Sequence, residues 1–330
     1  MSPRGPFAVG HWTLRTIRTD SPSQGAGVRA PQPNEEPSPG ARVHQLAQSG
    51  PTVLRILLGG QLRRLREANR ISREDAGEAI RASGSKISRL ELGRVGFKER
   101  DVADLLTLYG VTDPVERDTL LSLARQANAP GWWHHYNDVL PPWFEVYIGL
   151  EEAAERLRVH ETRFVPELLQ TEEYAHAVLR LAHPEAPPAE IARRVSVRMR
   201  RQQILRRQDA PQLWALVDET ALWRRPGGTE VLRAQLAALR EAVQARHITL
   251  QVVPMQRGAL AAATGPFSLL RFAEPALPDV VYVEQLTSAL YLDKPADLAV
   301  YKKQLDRLSV QALPPTATSG ILTGILEELG

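Results

Sequence analysis

Ser85, Lys86 and Arg89 sit close together in the run Gly84-Ser85-Lys86-Ile87-Ser88-Arg89-Leu90-Glu91, whose large apolar side chains are Ile87 and Leu90. At helical spacing Ile87 and Leu90 share an inward face, which leaves Gly84, Ser85, Lys86 and Arg89 on or near the outward one. The chemistry of that outward face is specific. An arginine can pair bidentately with guanine O6 and N7, a serine hydroxyl can hydrogen-bond either kind of base edge, and a lysine can reach a base or a phosphate. Ser72, Arg73, Arg94 and Lys98 flank the run and suit phosphate oxygens, contacts that fix register without reading sequence.

Two helices must position these groups. Ser72-Arg73-Glu74-Asp75 has the capping-box pattern, in which a hydroxyl and a carboxylate satisfy each other's orphan backbone donors, and it opens a helix with Ala76, Ala79 and Ile80 facing inward. The break at Ala82-Ser83-Gly84-Ser85 ends it, and Ser83 is the N-cap of the next helix, which stops at Gly93. A helix pair joined by a short turn, the second member basic and outward, is the geometry in which one helix braces on the DNA backbone and the other enters the major groove. The plainer alternative is a helical bundle with a solvated basic face. Against it stands the concentration of charge: residues 52–100 carry twelve Lys/Arg against six Asp/Glu, while the whole chain is only +3.

Around this pair the chain divides into four stretches. Residues 1–51 are rich in Pro, Ser and Gly and predict a disordered tail, with at most a short helical piece at 44–48. Residues 52–128 predict an all-α domain, with Leu58, Leu62 and Leu65 on its first helix and Val102, Leu105, Leu106 and Tyr109 on its fourth. Residues 129–149 form an aromatic connector with Trp132, Trp133, Trp143 and Phe144. Residues 150–330 predict a mixed α/β (α+β) domain: helices at 150–161 and 171–181, a basic helix at 190–207, then strand, helix and strand at 213–217, 232–243 and 248–253. Further strands are expected at 267–272, 280–284 and near 290, and closing helices at 299–308 and 320–329.

The second domain offers weaker candidates. Asp218 and Glu219 fall just after a strand and Glu284 ends another, where open α/β sheets bind ligands, and paired carboxylates could do acid–base work; turn chemistry and salt bridges are the simpler explanation. Trp132 and Trp133 suit either a partner-binding patch or an interdomain core. The arginines at 193–207 suit an acidic partner, or an amphipathic helix that packs Ile191, Val195, Met199 and Leu205 inward. His134, His135 and Asp138 lack a third histidine nearby, so no metal is expected. Gly227-Gly228-Thr229 lacks the phosphate-loop lysine and the dinucleotide fingerprint, so no cofactor is expected and the chain reads as a binding protein rather than an enzyme. With no cysteine there is no thiol chemistry, and no run approaches the ~18 apolar residues of a membrane helix, which points to a cytoplasmic protein.

Residues 52–128 resemble the Xre or lambda-repressor-like helix-turn-helix regulators, through Ser72-Arg73-Glu74-Asp75, Lys86-Ile87-Ser88-Arg89-Leu90-Glu91 and Gly93-Arg94. Later segments resemble an actinobacterial, antitoxin-like branch of that family: Gly131-Trp132-Trp133, the run from Val165 to Tyr174, Arg201-Gln202-Gln203-Ile204-Leu205 and the run from Gly265 to Phe272. The resemblance implies transcription control on double-stranded DNA, with a small neighbour-encoded protein as partner in some members. Binding as a homodimer is expected because one helix-turn-helix reads too few base pairs for selectivity. Departures from the pattern are Arg81 where the turn glycine is usual, Gly77 where helix two usually has alanine, and Glu167 where a glycine is expected after Pro166. A C-terminal pocket for a metabolite, or an enzyme domain fused to a DNA-targeting module, are the alternatives to a protein-binding domain.

Overall fold

The computed structural model describes residues 50–275 and 277–330, so the expected tail, with its helical piece at 44–48, lies almost wholly outside the described residues. The first described element, α1 (Pro51–Ala68), starts with proline at its first turn, where a missing N–H costs nothing. It is followed by α2 (Arg73–Ala79), α3 (Gly84–Glu91), α4 (Glu99–Leu108) and α5 (Pro114–Ala127). Leu54, Leu58 and Leu62 of α1 meet Ala76, Ile87, Leu90, Leu105, Leu106 and Leu120 in one buried cluster. The expected capping box forms: Ser72 Oγ accepts from Asp75 N at 3.0 Å, and Asp75 Oδ2 accepts from Ser72 N at 3.4 Å. Ser83 caps α3 as its hydroxyl accepts from Lys86 N at 3.3 Å.

Two departures from the expected helix-turn-helix pattern explain each other. Ala79, expected inside, is exposed, and Gly77 is buried in its place. A Cβ on Gly77 would lie 2.7 Å from the Ala82 carbonyl oxygen, because the turn folds directly back over α2. Arg81 makes that turn in the left-handed region at φ +55°. Thus the turn is preserved, with the glycine moved to the point of closest approach and the left-handed strain left on an exposed arginine.

A 3₁₀ turn (Trp132–Tyr136) leads to α6 (Pro142–Ala153) and then to β1 (Arg156–Glu161). The helix expected at 150–161 is therefore wrong in its second half: the helix ends at Ala153 and residues 156–161 are strand. The alternation of Leu157 and Val159 carries β1, the strand that joins the two halves of the sheet; these pairings override the helix propensity of the preceding Ala and Glu residues. The crossover from β1 holds α7 (Glu172–Ala182) and α8 (Pro188–Arg201), and leads to β2 (Gln212–Asp218). Next come α9 (Glu219–Trp223), α10 (Thr229–Ala242), β3 (Ile248–Val253) and α11 (Ala259–Thr264). The chain closes with β4 (Phe267–Arg271), β5 (Val280–Glu284), β6 (Ala289–Leu292), α12 (Pro295–Gln311) and α13 (Thr318–Glu328).

The six strands run in the order β3-β2-β1-β4-β5-β6, parallel from β3 to β1 and antiparallel from β1 to β6. Both faces are covered. Leu213, Ala215 and Val217 pack on one side with Leu232, Leu236 and Leu239 of α10 and Leu322 of α13. Leu216, Phe267, Leu269 and Val281 pack on the other with Leu298, Leu305 and Leu308 of α12. The protein is thus an all-α helix-turn-helix unit followed by a mixed α/β domain. The two meet through α1 and α6: Val53 and Leu57 of α1 join the core of the second domain, and a Cβ on Gly149 would lie 2.2 Å from Thr52 Oγ1. Among the described residues no helix is long and apolar enough to cross a membrane.

Candidate nucleic-acid interface and C-terminal cavity

Helix α3 is fixed from beneath by Glu91, its last residue, which is buried. Arg66 of α1 reaches Glu91 Oε1 at 2.5 Å and Oε2 at 3.1 Å, and Arg73 of α2 reaches Oε2 at 3.1 Å. One carboxylate therefore ties three helices together. Gly93 ends α3 in the left-handed region at φ +65°, with Gly93 N donating to Leu90 O at 3.0 Å and Arg94 N to Arg89 O at 2.9 Å. These are the two bonds of a Schellman cap, and they hold Arg94 just beyond the helix end.

Ser72, Ser83, Ser85, Arg89, Arg94 and Lys98 are exposed, and Gly84 is half-buried at the start of α3. Arg89, Arg94 and Lys98 make no ion pair among the described residues. Two of the expected contacts are otherwise engaged: Lys86 Nζ lies 2.6 Å from Asp101 Oδ2, and the Arg73 guanidinium is held by Glu91. The ammonium of Lys86 braces α3 against α4, which leaves Ser85, Arg89, Arg94 and Lys98 as the exposed, unpaired polar groups of this face among the described residues.

In the second domain the expected site residues separate. Asp218 is buried and caps α9, with Oδ1 accepting from Thr220 N at 2.9 Å; Glu219 accepts from Met255 N at 2.8 Å. Both are spent on turns, and neither is among the residues that line the cavity beside Glu284. Trp133 is buried in a cluster with Val139, Leu140, Ile148 and Val197, while Trp132 lies edge-on to it and beneath the Arg200 guanidinium at 4.7 Å. Trp133 therefore belongs to a small core between the connector and α8, with Trp132 half-buried at its edge. His134 and His135 are exposed, Asp138 accepts from Arg193 at 2.6 Å, and no group of three potential ligands that could hold a metal occurs among the described residues.

Glu284 does line a cavity, at its exposed rim. The cavity, about 330 Å³, opens at the end of the sheet where β1 and β5 finish. Glu161, the last residue of β1, lies within it, together with Glu167, Arg198, Tyr147 and Tyr282. Arg201 and Glu151, 3% and 2% exposed, form a bidentate pair with bonds of 2.7 and 2.8 Å. Arg201 also reaches Glu167 at 2.5 Å, and Arg198 bonds Glu167 at 2.5 Å and Gln170 at 2.9 Å. Burial disfavours the charge on Glu167, but Arg198 and Arg201 outweigh it and hold the carboxyl at about 2. For Glu161 burial acts first and the charge of Glu167 adds to it, pushing its carboxyl to about 8.

Sequence reasoning missed Glu161, Glu167 as an anchor, and the inward arginines. Arg198 and Arg201 continue the phase of Ile191 and Val195 at spacings of seven and ten residues, so a helical count from those two apolar positions finds them. Met199, expected inside, is half-buried, and Val197 is buried in its stead.

Among known protein families, residues 57–120 match the model of a helix-turn-helix domain, and residues 144–324 match the model described as Domain of unknown function (DUF5753). No curated protein and no solved structure matches the chain significantly.

Proposed function

The chain belongs to the DUF5753 family, and from that premise, with a helix-turn-helix domain ahead of the family segment, we propose that it is a cytoplasmic, sequence-specific transcriptional regulator that binds double-stranded DNA as a homodimer. The observation that carries this reading is the outer face of α3: Ser85 and Arg89 are exposed, and Arg94 and Lys98 stand beside them without acidic partners among the described residues. Such a face supplies base-edge donors flanked by phosphate contacts. Resemblance to Xre-type antitoxin-like regulators supports a small neighbour-encoded protein as partner of the second domain.

The cavity favours a second reading of that domain, as a module that binds a small effector without turnover. Its volume and mixed apolar and polar walls suit a small organic molecule. Glu167 is engaged by two arginines, which removes that carboxylate from acid–base work. A route to the DNA face also exists. Tyr147 and Glu151 line the cavity from α6; α6 packs on α1; and α1 meets α3 so closely that a Cβ on Gly59 would lie 2.4 Å from the Leu90 carbonyl oxygen. An effector that shifts α6 would thereby bias the seating of α3.

Light scattering combined with footprinting on DNA selected by the full chain tests the reading. A dimer protecting two half-sites about one helical turn apart is expected. A monomer protecting one half-site would refute the dimer, and no protected sequence at all would refute DNA recognition.

A further inference from the structure

The two arginines deepest in the C-terminal cavity are already neutralised: Arg198 by Glu167, and Arg201 by Glu151 and Glu167. Glu161 and Glu284 make no ion pair among the described residues, although both line the same cavity. Arg163, also on the lining, is the remaining arginine there, and it is exposed. The site thus holds two carboxyl groups without an ion-pair partner among the described residues, one inside and one at the rim. A second observation comes from buried polar atoms. Tyr282 is 5% exposed and lines the cavity, and its hydroxyl, on the side of Glu284, has no partner at full hydrogen-bond geometry. The buried Nε of Arg198 is likewise without one. Buried polar atoms of this kind are normally satisfied, so each marks a place where a ligand group or a water belongs. Val159, Phe164, Val178 and Leu179 supply apolar wall, and His183, Gln170, Ser268 and Gln285 are its other polar members.

We propose that this cavity binds a small organic amine, with its ammonium between Glu161 and Glu284, its apolar body against Phe164 and Val178, and an acceptor atom facing Tyr282 and Arg198. The chemistry follows from complementarity. A carboxylate in a partly enclosed site lacks the solvation that would stabilise its charge, and a cation of matching geometry restores it. Aromatic walls tolerate an ammonium through the ring quadrupole, whereas an anion would meet the same rings unfavourably. The inference rests on the effector reading of the cavity and specifies what occupies it. A consequence follows for proton balance. Burial and the charge of Glu167 keep Glu161 protonated near neutrality, with Arg163 and Arg198 opposing that effect. Seating an ammonium beside Glu161 must therefore release a proton.

The test uses the full chain and three probes that share one ring: tyramine, its alcohol analogue tyrosol, and 4-hydroxyphenylacetate. Tyramine should raise the thermal midpoint and tyrosol should do so far less. Calorimetry in two buffers of different ionisation enthalpy should show proton release with tyramine near neutral pH. The near-isosteric Glu161→Gln and Glu284→Gln variants should each weaken tyramine about tenfold or more, the usual worth of a charged hydrogen bond. Tyr282→Phe should weaken tyramine while leaving phenethylamine, which lacks the acceptor hydroxyl, little changed. Stabilisation by 4-hydroxyphenylacetate or tyrosol in preference to tyramine would overturn the amine assignment and leave the effector reading intact. No stabilisation by tyramine, phenethylamine or cadaverine at millimolar concentration would overturn the amine assignment as well. Undiminished tyramine affinity in the Glu161→Gln, Glu284→Gln double variant would do the same.

Discussion

Arg201→Ala should be among the most damaging single changes in the second domain, and its magnitude can be worked from the geometry. Arg201 and Glu151 are 3% and 2% exposed and share two hydrogen bonds, and Arg201 also lies over the rings of Phe144 and Tyr147 at 4.9 and 5.3 Å. Truncation leaves the Glu151 carboxylate buried without its partner, a situation that costs about 3–5 kcal/mol. For a domain of this size each kcal/mol lowers the thermal midpoint by about 2–4 °C, so a fall of about 6–20 °C is expected. Urea denaturation followed by tryptophan fluorescence, with thermal melts by circular dichroism, measures both. The cost should come from the stranded charge rather than from loss of a favourable pair. The double variant Glu151→Leu, Arg201→Met should therefore recover most of the stability, since Arg198 still holds Glu167. A loss below about 1 kcal/mol, the level of a surface ion pair, would refute the reasoning. So would a double variant less stable than the single one.

Gly77→Ala should destabilise the helix-turn-helix unit: alanine gains about 1 kcal/mol of helix propensity, but its Cβ meets the Ala82 carbonyl oxygen at 2.7 Å, and overpacking against backbone costs about 1–3 kcal/mol. Arg81→Gly should instead stabilise it slightly by relieving the left-handed arginine, read as a higher urea midpoint. Stability should fall as pH rises through about 8, because Glu161 has a folded pKa raised above its ordinary 4.5, and Glu161→Gln should flatten that limb. It should also fall as pH drops below about 4.5 toward 2, where Glu167 protonates, and Glu167→Gln should flatten the acid limb in denaturation curves taken across pH. If about four phosphates are neutralised per unit, log K against log salt should slope near −3.6, and Arg94→Ala should flatten it by about one without altering preference. An unchanged slope would remove Arg94 from the interface.

The parts legible in the sequence are those whose causes are local. The capping box at Ser72, the Ser83 cap and the Ile87/Leu90 face of α3 depend on residues within one or two turns, and they appear where expected. Strand β1 was hidden because Ala153-Ala154-Glu155 favours helix, while the pull toward strand comes from β2 and β4, distant in sequence. Asp218 and Glu219 misled for a related reason. The end of a strand is where ligand sites lie, but also where the next helix needs a cap, and the sequence pattern is the same for both. Glu161 carried no local signal, since its unusual environment arises from burial first and then from Glu167 and Glu284, which the sheet and its crossover bring around it. Lys86 looked available until the fold placed Asp101 beside it.

The central claim is that α3 reads DNA sequence through Arg89, and selection from a random pool of double-stranded DNA tests it most directly. The full chain should enrich a recurrent half-site containing a guanine. Arg89→Ala should enrich a half-site in which that one position has lost its preference, with affinity for the original site lower by about 1–3 kcal/mol. Enrichment of the same half-site by both proteins, at equal affinity, would contradict the placement of α3 in the major groove. No enrichment by the unmodified chain would contradict sequence-specific DNA recognition itself.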